Sequence, residues 1–470
     1  MKMKTTRYAT WLILLTIAIL LPTDGLTNQR VWMYEIIALL SLVLFINKSE
    51  DIQDLKTVTL NPVYLFLFAF YIVFYQRPID YILGFIDGWY YVGKTSLMLL
   101  SLKYSTIGII CFYIGYSYQA GKRHFPQPRK EYRAVVVSPK FYTLISSLLL
   151  LGIFILVPKS VLMGGYGQQM LSEAGTFNYL SSWCSSFIIA FLVQFSLNEK
   201  KGGETQEITI KLFLKKIGMW QNINVLLYAL IILNVGDRGP LIVVGLAYYI
   251  SYVIVCKTKM SKKVIASALV IGILGSMYLG FTKQFRDNNS FFDRVEAVLD
   301  NREYIGYISF FAPTFELSGS YNCLPFSIEM IEQGNDYGYG TLQVAGFLST
   351  IPFVNRFLHL PASSSYQISH FVQGDEITYG NGTNCIADLY LDGGLLLIII
   401  GMLLCGRIFR WFEVSLFTDN YHSLFVFCMA FFFLSHVVYI PRSTILSPLK
   451  YALWIYVIMR MYNRFINVKQ

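Results

Sequence analysis

Long apolar runs recur along this chain from end to end, separated by short polar stretches. Their lengths approach the roughly 17 to 25 residues that a helix needs to cross a bilayer. The pattern predicts twelve helices, at 8–22, 31–47, 60–76, 96–118, 141–157, 181–197, 218–235, 241–256, 264–281, 393–408, 421–440 and 445–462. The first run follows MKMKTTR and has the look of a signal peptide. It lacks a small-x-small cleavage site and is followed by more runs of the same kind, so it is read as an uncleaved helix. One stretch breaks the rhythm: between Thr282 and Asp392 no run is long and apolar enough to span. Within it DRVEAVLD has the spacing of a short amphipathic helix. The stretch GNDYGYGTLQVAGFLSTIPFVNRFLHLP reads as loop with interfacial helices. The expected organisation is an all-α integral membrane protein. Nine helices occupy 1–281, a cap on the membrane face 282–392, and three helices 393–470.

Composition agrees with the pattern. Hydrophobic residues make up 55% of the chain and charged residues 14%, against about a quarter in soluble domains. The net charge of +10 is unevenly placed. KRHFPQPRKEYR, NEKKGGETQEITIKLFLKK and KTKMSKK all fall on the side of the N-terminus. Short basic loops face the cytoplasm, so both termini are expected there and the 282–392 segment outside. That segment is acidic on balance. The basic excess is thus a topology signal and points to no nucleic acid. Lys103 and Lys450 lie within runs; intramembrane lysines are the best support for a transporter reading, with snorkelling as the alternative.

The usual soluble chemistries are missing. There is no CxxC, HExxH, GxGxxG or P-loop lysine motif, so neither a metal nor a nucleotide cofactor is expected. Five of the seven cysteines lie in or beside runs. Cys323 and Cys385 share the external segment and are read as separate thiols, with a bridge as the alternative. What remains is polar residues on the outer face. Arg238, in GDRGP, and Arg442, in YIPRSTILSP, each occupy a short tip between two runs. A charge so close to hydrocarbon is costly and by default functional. A guanidinium is a planar fork of donors that suits phosphate oxygens. Two forks at headgroup depth would clamp a lipid diphosphate. The alternatives are snorkelling or pairing with Asp237. Arg286 is a third candidate; Arg294, Arg302 and Arg356 read as solvated charges.

Carboxylates and histidines supply the candidate bases. In YGNGTNCIADLYLDGG, Asp388 and Asp392 stand four apart, on one face of any helix beginning there. One is expected to be a general base or an anchor for an acceptor sugar; a simple interaction with the helix dipole is the alternative. His370, in SSSYQISHFVQGDE, and His436, near Arg442, are the imidazole candidates. Tyr321, Tyr337, Tyr339, Tyr366 and Tyr379 read as interfacial packing, with stacking on sugars as the alternative.

Many runs, one large late external segment and an RG-type tip together resemble the bacterial O-antigen, or oligosaccharide repeat-unit, polymerases of the Wzy type. GDRGP is such a tip. PRST is similar to the family's terminal Arg-Ser element. ADLYLDGG is similar to its F-x-D-x-G-x-x-G pattern but spaced differently, which leaves the roles of Asp388 and Asp392 open. The resemblance implies a C-type membrane glycosyltransferase in the bacterial inner membrane. Such an enzyme joins oligosaccharide units carried on undecaprenyl diphosphate at the periplasmic face, without metal or other cofactor. Its implied partners are those lipid-linked units and the bilayer; a chain-length regulator is left open. Two other readings stand beside it. An O-antigen ligase shares the donor, and its cap histidine would be His370. A flippase or secondary transporter fits twelve spans but usually shows two related halves, which this sequence lacks.

Overall fold

The computed structural model describes residues 2–48, 61–86, 94–118, 138–163, 174–201, 209–235, 239–256, 314, 317–351, 354–377, 380–417 and 423–469. These residues are helices and turns with no strand among them. A helix lies over every expected run except 264–281, which falls outside the described residues together with DRVEAVLD. The helices are α1 (Lys2–Leu20), α2 (Asn28–Lys48), α3 (Pro62–Ile82), α4 (Met98–Ser117), α5 (Lys140–Leu156) and α6 (Lys159–Met163). They continue with α7 (Ala174–Lys201), α8 (Ile210–Ile217), α9 (Met219–Val235) and α10 (Gly239–Cys256). The segment read from the sequence as a cap, so called below, holds α11 (Cys323–Glu332), α12 (Thr341–Leu348), α13 (Val354–Leu358) and α14 (Ser364–Gln373). Last come α15 (Cys385–Phe417), α16 (Leu424–Ser435) and α17 (Leu449–Lys469).

Length and apolarity qualify 6 of the described helices as crossings, or 7 when the bent pair α8 and α9 is taken as one. The expected twelve is therefore not what the described residues give; α1, α5 and α16 hold apolar stretches shorter than a full crossing. The α8–α9 pair bends by 96° at Gly218, whose φ of +96° suits glycine. The α8 helix buries Phe213 and Ile217 while Lys211, Lys215 and Lys216 line its other side. That amphipathic pattern suits a helix lying along a membrane surface.

The centre of the bundle is the pair α4 and α15. The α4 helix is buried on nearly all sides, as a helix with no polar face must be. It runs parallel to α15, and glycines bring the two backbones together. A methyl on Gly115 would run into the carbonyl of Leu403, and one on Gly406 into that of Phe112. Lipid offers little hydrophobic drive between helices, so close packing over small residues supplies the association. Around this pair stand α1, α2, α3, α11 and α16.

Polar contacts close the two ends of the bundle. At one end the buried Glu413 of α15 accepts from the Val63 N–H at 2.9 Å and from the Tyr116 hydroxyl. Arg410 reaches the Tyr116 oxygen at 3.4 Å, and Tyr8 donates to the Ser117 carbonyl at 2.7 Å. At the other end lie the C-terminus of α3, the N-termini of α4 and α15, and the cap helices. Lys103 reaches this end too, donating to the Leu21 carbonyl at 3.2 Å as a snorkelling lysine does.

Candidate functional site

The cap end is organised by a 3-10 segment, Leu317–Asn322, that leads directly into α11. Three elements hold it. The buried Arg77 of α3 donates from Nε to Ser318 Oγ at 3.0 Å. Asn384 donates to the Ser320 carbonyl at 2.7 Å, and its own Oδ1 caps α15 by accepting from the Ala387 N–H at 2.7 Å. The third is the Ile440–Arg442 turn, which packs against both α3 and the 3-10 segment.

Arg442 stands on that turn, half-buried, with its guanidinium 5.3 Å from the centre of the Tyr439 ring. Among the described residues it has no carboxylate partner and no hydrogen-bond acceptor for its side chain. It lies close to Cys323 at the start of α11. Burial pushes that thiol up to about 12, and the Arg442 charge pulls the other way. Cys323 and Cys385 are both buried and unbridged, as the separate-thiol reading expects.

The second tip converges here. Gly239, the residue after Arg238, opens α10 directly against Tyr439. A methyl on Gly239 would strike the Tyr439 hydroxyl and ring. The same ring therefore carries Arg442 on the one hand and the end of GDRGP on the other. The start of α10 and the Ile440–Arg442 turn, about two hundred residues apart in sequence, thus meet at one tyrosine. Arg238 itself lies outside the described residues, as do Arg286, Arg294, Arg302 and Tyr379; Arg356 falls in α13.

Asp388 and Asp392 share a face, as their spacing predicts, and both meet Gln343. Asp388 accepts from Gln343 Nε2 at 2.7 Å and from Ser364 Oγ at 2.6 Å. Asp392 is fully buried. Its two oxygens accept the backbone N–H groups of Leu342 and Gln343 at 2.9 and 3.0 Å. These are first-turn amides of α12, which has no side-chain cap of its own. Every helix start leaves such donors unpaired, and a carboxylate is the favoured partner at that pole. Asp392 thus caps a helix of a different segment. Both aspartates precede a break in α15 at Gly393 and Gly394. Gly394 has φ +61°, with the Tyr337 ring 3.4 Å from where a Cβ would sit.

The histidines are not brought to these carboxylates. His370 is exposed, pairs with Asp375 at 3.0 Å and stacks beside Tyr366. Ser364, at the start of the same helix, is the residue that reaches Asp388. Six positions later the helix has turned His370 to another side. His436 ends α16 with its Nδ1 bonded to the Phe432 carbonyl at 2.7 Å.

Two residues of this end were not singled out from the sequence. Arg77 has a signal in YQRPID, where an arginine and an aspartate close an apolar run next to a proline. Glu35 is a lone acid inside the second run. It is buried, near the cap's Tyr321, with its Oε1 unpartnered. An ionisable residue inside a span is by default functional, which is the signal that finds both.

The O-antigen polysaccharide polymerase Wzy family matches residues 8–467, nearly the whole chain. No curated protein and no solved structure matches the chain.

Proposed function

This chain belongs to the O-antigen polysaccharide polymerase Wzy family, and from that premise we propose that it joins oligosaccharide repeat units carried on undecaprenyl diphosphate, at the periplasmic face of the bacterial inner membrane. The observation that carries this reading is Arg442: a half-buried guanidinium stacked on Tyr439, with no carboxylate or hydrogen-bond acceptor among the described residues, beside Gly239 of GDRGP. Family membership favours polymerase over the ligase and transporter readings.

The reaction breaks the bond between the donor's anomeric carbon and the diphosphate oxygen. It forms a bond from the acceptor's hydroxyl oxygen to that carbon. The acceptor's proton passes to a base, and the lipid diphosphate leaves with the electron pair. Arg442 and Arg238, with Arg286 as a third donor, hold the diphosphate and stabilise the charge that grows on it. Fixed donors aimed at developing charge are commonly the largest catalytic contribution. Of the candidate bases, Asp388 suits the acceptor best. Both of its bonds are to side chains that can move aside, Gln343 and Ser364. Asp392 is committed to backbone amides, and His370 points elsewhere. The Arg77–Ser318 and Asn384–Ser320 bonds position the segment beside which the substrate would lie.

The direct test incubates purified protein with lipid-linked repeat units and resolves the products on a gel. A ladder of polymer is expected, and it should survive EDTA because the charge is met by arginines. A ladder that vanishes with EDTA and returns with Mg²⁺ would move the diphosphate from the arginines to a carboxylate-bound cation. Sidedness has its own test. Single cysteines at Ser363 and Gly203 should react with a membrane-impermeant reagent from opposite sides, Ser363 from the periplasm. Reaction of both from one side would remove the periplasmic assignment.

A further inference from the structure

The cap carries a tyrosine whose backbone and side chain are both in costly positions. Tyr339 has φ +52°, a left-handed conformation that a bulky residue seldom adopts. Its side chain is 78% exposed, so the ring contributes little to any core. Glycine stands on each side of it, at 338 and 340, and glycine would suit position 339 equally well. Core packing and backbone preference both argue against tyrosine here.

The turn that presents the ring is firmly anchored. Gly338 donates its N–H to the Leu391 carbonyl at 2.8 Å, and Gly340 to that of Asp392 at 3.1 Å. Gly338 lies so close to the Asp392 carboxylate that a methyl would crowd it, at 2.5 Å from Oδ1. The Asp392 cap on α12 fixes the far side of the same turn. A ring held this way is pre-positioned, as a binding group needs to be.

Behind it runs a ladder of tyrosines. Tyr339 meets Tyr337 edge-on at 6.3 Å, and Tyr337 meets Tyr390 at 5.8 Å. Tyr390 meets Tyr104 of α4 at 5.2 Å. The ladder descends from solvent to the bundle beside the break in α15, where Tyr337 meets Gly394, and Tyr390 follows Asp388 by two residues in the same helix. Its flank is acidic: Asp336 and Glu332 are both exposed, and Glu332 lies near Tyr104 and Tyr390. Acids repel the phosphate of a lipid headgroup. They accept hydrogen bonds from hydroxyls. An aromatic face bordered by carboxylates matches a polyol with one apolar face, which is a sugar ring.

We propose that Tyr339 and Tyr337 form a saccharide-binding platform on the cap, with Asp336 and Glu332 as hydroxyl acceptors, which guides the acceptor chain towards Asp388. The identity of the saccharide as acceptor rests on the polymerase reading; the platform itself rests on the geometry of the turn.

The test uses full-length protein in phosphatidylcholine nanodiscs. The probe is lipid-free oligosaccharide, released by mild acid from the lipid-linked repeat unit. Titration calorimetry reads its binding. Tyr339→Ala should weaken binding about tenfold, while Tyr339→Phe and Tyr339→Trp should stay near wild type. Tyr339→Gly is the decisive variant. It relieves the positive φ, so its melting temperature should equal or exceed that of wild type, yet it should lose binding as Ala does. A Gly variant that binds like wild type overturns the proposal. So does quenching of a Tyr339→Trp reporter by lipid-borne bromine, which would make the ring a membrane anchor. If wild type polymerises lipid-linked units but binds no free saccharide, the platform fails and the polymerase reading stands. If it binds saccharide but makes no polymer, the polymerase reading fails and the platform stands.

Discussion

Arg442→Ala is expected to abolish polymer while leaving the amount of folded protein near that of wild type. The side chain stacks on Tyr439 and has no other partner among the described residues. A cation–π contact at a partly exposed site stabilises by only about 0.5–1 kcal/mol, so the fold loses little. The reaction loses a donor aimed at the leaving diphosphate, a loss usually of about 10²–10³ in rate. Arg442→Lys should also be poor. Its ammonium is a point charge and cannot reproduce the bidentate fork or lie flat on the ring. Arg238→Ala should fall as far, because Gly239, its neighbour in the chain, touches the same tyrosine. The double variant should be scarcely worse than either single one, since parts of one clamp do not add. Polymer yield from lipid-linked units, normalised to purified protein, is the measurement. Wild-type yield from Arg442→Lys would reduce the clamp to simple charge.

Asp392→Ala should fail for a different reason. Removing the carboxylate leaves the Leu342 and Gln343 amides without their acceptor, next to a buried position. Loss of a helix cap costs about 0.5–2 kcal/mol, and a buried donor left unpaired about 1–3 kcal/mol. A total near 2–4 kcal/mol is expected, seen as a lower melting temperature in detergent and less protein in the membrane. Asp388→Asn is the contrast. Its amide oxygen still accepts from Ser364, so the melt should move little, while polymerisation should collapse because an amide cannot take a proton. An Asp392→Ala variant that melts like wild type yet makes no polymer would exchange the roles of the two aspartates.

The cap and the site were legible to different degrees. That 388 and 392 share a face follows from helical spacing alone, and both do meet Gln343. Which of them serves the fold does not follow. The answer depends on α12, whose first turn lies about fifty residues earlier and comes to α15 only when the cap folds down. The histidines mislead for the same reason. His370 is close to Asp375 in sequence and finds it, but nothing local says that Ser364 and not His370 will face Asp388. Tyr339 reads as one more interfacial aromatic until its φ and exposure are known.

Hydropathy is a local property, and a bilayer acts on it locally. The apolar runs by themselves therefore determined an all-helical membrane protein, and the charge of Arg442 between two apolar runs marked a tip worth attention wherever the chain placed it. Partners are a non-local property. The tertiary structure alone decided that Gly239, at the start of α10, meets the Tyr439 ring on which Arg442 stacks, and that Arg77 reaches Ser318, 241 residues away. It also decided that α4 and α15 touch backbone to backbone through glycines that look unremarkable in an apolar run. A buried polar group must be satisfied by whatever the folded chain brings to it, and only the fold names that group.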